Sequence, residues 1–245
     1  MSSSIQEASA NSWQSRAKQW ADAFLSFIFP PVCAYCHRAG VLFCVECVAK
    51  VTWIQEPVCQ KCGRFQQQPN ALCASCLHHP LPLHQIRAAV QFTEPVQSMI
   101  HKLKYEGMFG LGMPLADLMV EAWVRWETAV DLIIPIPLHQ ERQKARGYNQ
   151  SELLARHLSQ KINLPIHSDA LKRIRHTKPQ VGLNAAERST NVQAAFAAKT
   201  ECVAGKTVLL IDDVCTTGAT LAAAADALLI SGAHSASAYC LARVV

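Results

Sequence analysis

Four Cys-x-x-Cys pairs follow one another between residues 33 and 76: Cys33/Cys36, Cys44/Cys47, Cys59/Cys62 and Cys73/Cys76, with 7, 11 and 10 residues between successive pairs. No other feature constrains the folding of this chain so tightly. Each pair sits on a tight turn that points both sulfurs at one metal ion, and eight thiolates satisfy two tetrahedral zinc ions. A disulfide framework would require an oxidising compartment and an export signal. Arg16 and Lys18 do precede an apolar stretch, Phe24 to Phe29, but Asp22 interrupts it and no small-residue cleavage site follows. Cys33, after Pro-Pro-Val, is a poor lipoprotein acceptor. A single Cys-x-x-Cys could be a redox motif; four in succession argue for metal. Two structural zinc sites are expected, with sequential sets Cys33, Cys36, Cys44, Cys47 and Cys59, Cys62, Cys73, Cys76 as the first choice. Spacing leaves a cross-braced pairing open, and His37, His78 and His79 stand by as reserve ligands. Reduced, metal-bound thiols imply a cytoplasmic protein.

The 245 residues, 50% of them hydrophobic, allow one sizeable α/β domain and a small module and exclude a disordered chain. No apolar run reaches the roughly 18–20 residues a membrane-spanning helix needs, so an integral membrane protein is not expected. Residues 1–29 read as a polar, Ser-rich start followed by an amphipathic helix on Trp13, Ala17, Trp20, Phe24 and Ile28. Residues 30–80 form the double zinc module, and residues 81–245 the α/β domain. Within that domain strand patterns at Ile86–Phe92, Asp131–Pro137, Lys206–Val214 and Ser235–Val245 alternate with helical ones. The helices are marked by Val96, Met99, Ile100 and Leu103, by Leu115, Leu118, Met119, Ala122 and Trp126, by Leu153, Leu154 and Leu158, and by Leu221–Ile230. Strand–helix alternation predicts a mostly parallel sheet with helices on both faces.

The clearest strand, KTVLLIDDV, ends on Asp212 and Asp213 and runs into Cys215, Thr216, Thr217, Gly218, Ala219 and Thr220 at the start of a helix. Backbone N–H groups at a helix start, its dipole and threonine hydroxyls make an anion site, and glycine lets a phosphate approach. The Gly-x-x-x-x-Gly-Lys pattern of a Walker loop is absent. Two carboxylates beside a phosphate cradle must face another part of the ligand, either vicinal ribose hydroxyls or a magnesium ion with its waters. Together they describe a ribose 5-phosphate group.

VLLIDDVCTTGAT resembles the phosphoribosyl diphosphate (PRPP) motif of type I phosphoribosyltransferases. That resemblance implies that Asp212 and Asp213 contact the ribose as the catalytic pair, that Cys215 to Thr220 hold the 5-phosphate, and that Mg²⁺ accompanies PRPP. With PIPLHQERQKARGYNQSELLA at 135–155, HKLKYEG at 101–107 and the zinc knuckles, the chain from about Pro30 onward resembles the ComF/ComFC competence proteins, which join a double zinc ribbon to a phosphoribosyltransferase-like domain. The same resemblance implies a pyrophosphate loop at Pro137, Leu138 and His139, with Arg142 and Arg146 nearby. It also implies a flexible loop over Leu171–Arg188, bearing Lys172, Arg173, Arg175 and Lys178.

Charge agrees with a diphosphate site. Residues 139–190 hold ten Lys or Arg against four Asp or Glu, so this segment exceeds the +5 of the whole chain. Basic loops could equally track a nucleic-acid backbone, with Tyr105 and Tyr148 as stacking partners. His101, His157 and His176 receive no catalytic role. The family resemblance implies an accessory protein that handles incoming single-stranded DNA in the cytoplasm during natural transformation, with a competence helicase as partner. A catalytically active phosphoribosyltransferase with an unidentified acceptor is the alternative, since no base-binding hood is recognisable. A zinc-ribbon adaptor with a vestigial pocket fits less well, because the acidic pair and its loop are intact.

Overall fold

The computed structural model describes residues 30–68, 71–125, 129–174 and 195–244. The helix expected on Trp13–Ile28 lies outside them, as do Trp126, Arg175, His176, Lys178 and the rest of the loop to Arg188. Two compact units divide between Val48 and Ala49. The first contains the first four cysteines; the second contains the other four and the whole α/β region.

The two cysteine units are built alike. In the first, Cys33 N–H donates to the Arg38 carbonyl at 2.7 Å and His37 N–H to the Cys33 carbonyl at 2.8 Å, closing a knuckle that ends in a Val32–Ala39 bridge. A short helix, α1 (Val45–Val48), begins just after Cys44. In the second, Cys59 N–H donates to the Arg64 carbonyl at 2.7 Å, Gly63 N–H donates to the Cys59 carbonyl at 2.8 Å, and Val58 bridges Phe65. Helix α2 (Ala74–His78) then follows Cys73. His37 and Gly63 occupy the same place in the repeat, and both have positive φ, 61° and 70°. Glycine is required at the second, because a Cβ there would lie 2.5 Å from the carbonyl oxygen of Ile86.

Four parallel strands form the main sheet: β1 (Ile86–Gln91), β2 (Leu132–Pro135), β5 (Thr207–Cys215) and β6 (Ser235–Arg243), in the order β1-β6-β5-β2. Its register aligns Ile133 with Leu209, Leu210 with Ala238, and Cys240 with Ala88. Strands β5 and β6 are nearly continuous apolar runs, as strands covered on both faces must be. Val208, Leu210, Ala236 and Ala238 pack with Leu221, Ala224 and Leu228 of α8 (Ala219–Ile230). Tyr239, from the opposite face of β6, reaches α4 (Gly112–Trp123): its hydroxyl donates to the Met119 carbonyl at 2.7 Å and its ring centroid lies 5.5 Å from that of Trp123. Helix α6 (Gln150–Ile162) packs beside α4 and on β5 and β2.

Helix α5, strands β3 and β4 and helix α7 were not expected from the sequence. Helix α5 (Gln140–Arg146) fills most of the expected pyrophosphate loop, so Arg142 and Arg146 are helical residues. Strands β3 (Leu171–Arg173) and β4 (Phe196–Ala198) form a separate antiparallel pair, which puts Lys172 and Arg173 on a strand at the base of the expected flexible loop. Four-residue α7 (Thr200–Val203) precedes β5. Both edges of the main sheet are covered. Gln91 N–H donates to the Thr52 carbonyl at 2.8 Å and Ile54 N–H to the Ala89 carbonyl at 3.1 Å along β1; Ile133 N–H donates to the Pro165 carbonyl at 2.8 Å along β2. Among the described residues no helix is long and apolar enough to cross a membrane.

Candidate functional site

The carboxyl end of β5 delivers Asp212 and Asp213, and neighbouring elements hold each in a different way. Asp212 Oδ1 accepts from the Ser151 hydroxyl at 2.8 Å and from the Asp213 N–H at 2.9 Å. Ser151 is fixed by Asn149, which caps α6. The Asn149 side-chain oxygen accepts from Ser151 N–H at 3.0 Å, and its amide donates to the Ile136 carbonyl at 3.0 Å, just past β2. Burial, and then the charge of Asp213, push the Asp212 carboxyl up to about 7, against the opposing hydrogen bond from Ser151.

Asp213 is buried, at 3% exposure, and its Oδ1 lies 2.6 Å from Lys104 Nζ. Its other oxygen, Oδ2, is buried without a hydrogen-bond partner. An acceptor left in that state fits a ligand that brings a donor, such as a sugar hydroxyl or a water carried by Mg²⁺. Lys104 lies on α3 (Val96–Tyr105), remote in sequence from the acidic pair. Its neighbours are engaged as well: the Leu103 carbonyl accepts from the Tyr148 hydroxyl, and the exposed Tyr105 ring lies 5.5 Å from the Arg146 guanidinium. Arg146 also donates to the Gln150 side chain. Three consecutive residues thus bridge the acidic pair and the segment around α5. The sequence reading assigned Lys104 no role; its position in HKLKYEG, beside Tyr105, was the available signal.

Arg173 lies in the field of Asp212, and Arg142 in that of Arg173. Arg173 lies over the Phe196 ring at 5.5 Å. Burial and then the charge of Arg142 pull its guanidinium below the usual arginine range, while Asp212 opposes them. Arg142 is exposed on α5, and Pro137, Leu138 and His139 are half-buried between β2 and that helix. His139 caps α5 through Nδ1, 3.4 Å from Glu141 N–H. Lys172 points to solvent from β3. Tyr148 is half-buried and packs edge-on to Phe109, with centroids 6.3 Å apart.

The loop after β5 opens α8. Gly218, at φ 83°, caps the helix without a side chain; Thr216 and Thr217 are exposed, and Ala219 and Thr220 already belong to its first turn. Thr217 Oγ1 accepts from Ala219 N–H at 3.3 Å. No acidic residue occupies that turn, which leaves its potential positive. Beneath the loop lies a cluster that the sequence did not reveal. Arg243, 1% exposed, donates to Cys215 Sγ at 3.0 Å, and its Nε has no partner. A hydrogen bond from Cys240 holds the Cys215 thiol down to about 7; burial opposes it, and the charges of Arg243 and, last, Arg64 support it.

The eight knuckle cysteines fall into the two sequential sets. Within each, all four sulfurs lie within 4.8 Å of one another, and Cys36–Cys44 and Cys62–Cys73 approach to 3.5 and 3.6 Å. Four sulfurs at about 2.3 Å from one ion would be about 3.8 Å apart, so both sets fit zinc. None of the eleven cysteines is in a disulfide.

Known proteins share this arrangement. The Double zinc ribbon domain family matches residues 24–77 and the Phosphoribosyl transferase domain family matches residues 149–244. The DNA utilization protein YhgH of Escherichia coli (strain K12) is 31% identical over 225 residues, covering 88% of this chain and 98% of that protein. Competence protein F of Haemophilus influenzae is 32% identical over 201 residues, 77% of this chain and 86% of the relative. Competence protein ComFC of Bacillus subtilis is 30% identical over 208 residues, 82% and 83% of the two chains.

Proposed function

The chain belongs to the family of Competence protein F, ComFC and YhgH, and from that premise we propose that it binds PRPP with Mg²⁺ and serves single-stranded DNA handling in the cytoplasm during natural transformation. The observation that carries the ligand reading is the buried, unpartnered Oδ2 of Asp213 beside Asp212 at the end of β5, next to an anion-seeking helix start, with Arg173 in the field of Asp212. In this reading the Asp213 Oδ2 acceptor and Asp212 take the ribose hydroxyls. The loop from Cys215 to Thr220 takes the 5-phosphate, and Pro137, Leu138, His139, Arg142 and Arg146 receive the diphosphate. Lys172, Arg173, Arg175 and Lys178 are further cations for the diphosphate in this reading. Magnesium would neutralise part of the diphosphate charge, and the fixed cations would do the rest.

The DNA reading rests on the names of the relatives and on half-buried Arg146 beside the exposed Tyr105 ring, an aromatic face on which a base can stack. A competence helicase is the partner this role calls for. A second reading is transfer of the phosphoribosyl group to an acceptor, favoured by the exposed Tyr105 ring near the acidic pair.

Isothermal titration of the zinc-loaded chain with PRPP and Mg²⁺ tests the first reading. Saturable binding that is lost in Asp212→Asn/Asp213→Asn supports it, and no binding by the wild type removes it. Pyrophosphate release with a panel of acceptors tests the second. Oligonucleotide binding should weaken steeply with salt if Lys and Arg meet the DNA phosphates.

A further inference from the structure

The two zinc knuckles are structural copies, and one difference between them bears on the phosphate loop. Arg38 and Arg64 occupy the same place, each with its carbonyl accepting from the first cysteine of its knuckle at 2.7 Å. In the first unit Arg38 is neutralised by Glu46, which follows Cys44 by two residues. In the second, the residue two after Cys73 is Ser75, which has no charge to offer. Arg64 is exposed, and its guanidinium has no hydrogen-bond or ion-pair partner among the described residues.

The knuckle that carries Arg64 is seated on the α/β domain at the strand that also touches the phosphate loop. Ile86 N–H donates to the Lys61 carbonyl at 2.7 Å, and Gly63 passes so close to Ile86 that no Cβ fits. Arg87 Nη1 donates to the Gln60 carbonyl at 2.9 Å. On its other side Ile86 reaches Gly218, where a Cβ would meet Ile86 Cδ1 at 3.1 Å and Cys215 Sγ at 3.9 Å. One residue, Ile86, therefore separates the Arg64 turn from the loop, and the charge of Arg64 is felt at Cys215. The other cation at this place, Arg243, is buried and held by the Cys215 sulfur. Of these two, Arg64 is exposed, with no side-chain partner among the described residues.

We propose that Arg64 is a binding residue of the phosphate loop, supplied by the second zinc knuckle, and that it pairs with the phosphate monoester of the ligand. This inference rests on the reading of Cys215–Thr220 as a phosphate site. It gives the second knuckle a part in ligand binding beyond its own fold: the metal fixes the turn, and the turn fixes the cation.

The test is titration of the full, zinc-loaded chain with ribose 5-phosphate, which carries the monoester without the diphosphate. Arg64→Ala should weaken binding by about tenfold, the value of one charge-assisted contact. Arg64→Lys should recover part of the loss, and Arg64→Glu should weaken binding further. The salt dependence of binding should become shallower in Arg64→Ala. Arg156→Ala, on the exposed face of α6, should bind as the wild type does. Wild-type affinity in Arg64→Ala and Arg64→Glu, with ribose 5-phosphate still bound, overturns this inference alone. Absence of binding by every variant and by the wild type overturns the phosphate-site reading and this inference with it.

Discussion

Lys104 Nζ lies 2.6 Å from Asp213 Oδ1, joining the last turn of α3 to the end of β5. The lysine side chain is 20% exposed and the aspartate 4%, so the pair sits at the edge of the interior. Removing one member of a buried pair costs roughly 3–5 kcal/mol, because the other charge is stranded. Partial solvation of Lys104 lowers that expectation, and Lys104→Met should destabilise the chain by about 2 kcal/mol. Lys104→Met/Asp213→Asn should recover part of it, as a double-mutant cycle in urea would record. Wild-type stability in Lys104→Met would show that the contact is not formed in solution.

The raised carboxyl of Asp212 gives a pH signature. Its folded-state value of about 7 stands above the roughly 4 of a free aspartate. Between those values the folded chain holds more protons than the unfolded one, so this group's contribution to stability is lost as pH rises through that window. Unfolding curves between pH 5 and 7 should therefore show a decline in the wild type that Asp212→Asn flattens. Equal slopes in the two proteins would remove Asp212 as its source.

Asn149 and Ser151 form a relay from β2 to Asp212. Asn149→Ala removes the α6 cap and the bond to Ile136 together, and should cost about 1–2 kcal/mol. Ser151→Ala removes a hydrogen bond to the ionised carboxylate, so the Asp212 pKa should rise above its wild-type value. Carbon-13 titration of the aspartate side chains would read the shift, and an unchanged or lower value would contradict the relay.

Zinc content is countable. Elemental analysis should find two zinc ions per chain, and one after Cys73→Ser/Cys76→Ser. Those substitutions should also loosen the turn against Ile86, seen as faster amide exchange at Ile86, whose N–H is held by Lys61. Full zinc retention in the double variant would refute the assignment of those two sulfurs to one ion.

Much of this was legible in the sequence because periodic patterns report burial. The apolar runs at 207–215 and 235–243 are central strands, and the cysteine spacing anticipated both metal sets. Helix α5 was missed because QERQKAR is polar but for Ala145 and has no buried residue to give it a period. Strands β3 and β4 were missed because three residues are too few to alternate visibly. Lys104 escaped because its meaning depends on Asp213, 109 residues further along the chain. The links of Cys215 to Cys240 and to Arg243 escaped for the same reason: they are made between neighbouring strands, where β5 lies against β6.

The order of the sheet sets the order in which it can be made. Strand β1 lies at one side, with residues 52–54 along its outer edge and β6 along its inner edge, where Ile86 aligns with Ala238. During synthesis the outer cover is present before β1 emerges, whereas β6 is the last element in sequence order. Until it arrives, β1 and β5 have no strand between them, and the nascent chain exposes two strand edges. Such long-range pairing slows folding. The second zinc knuckle, which precedes β1 in the sequence, holds the Ile86 N–H but leaves the edge that awaits β6 open.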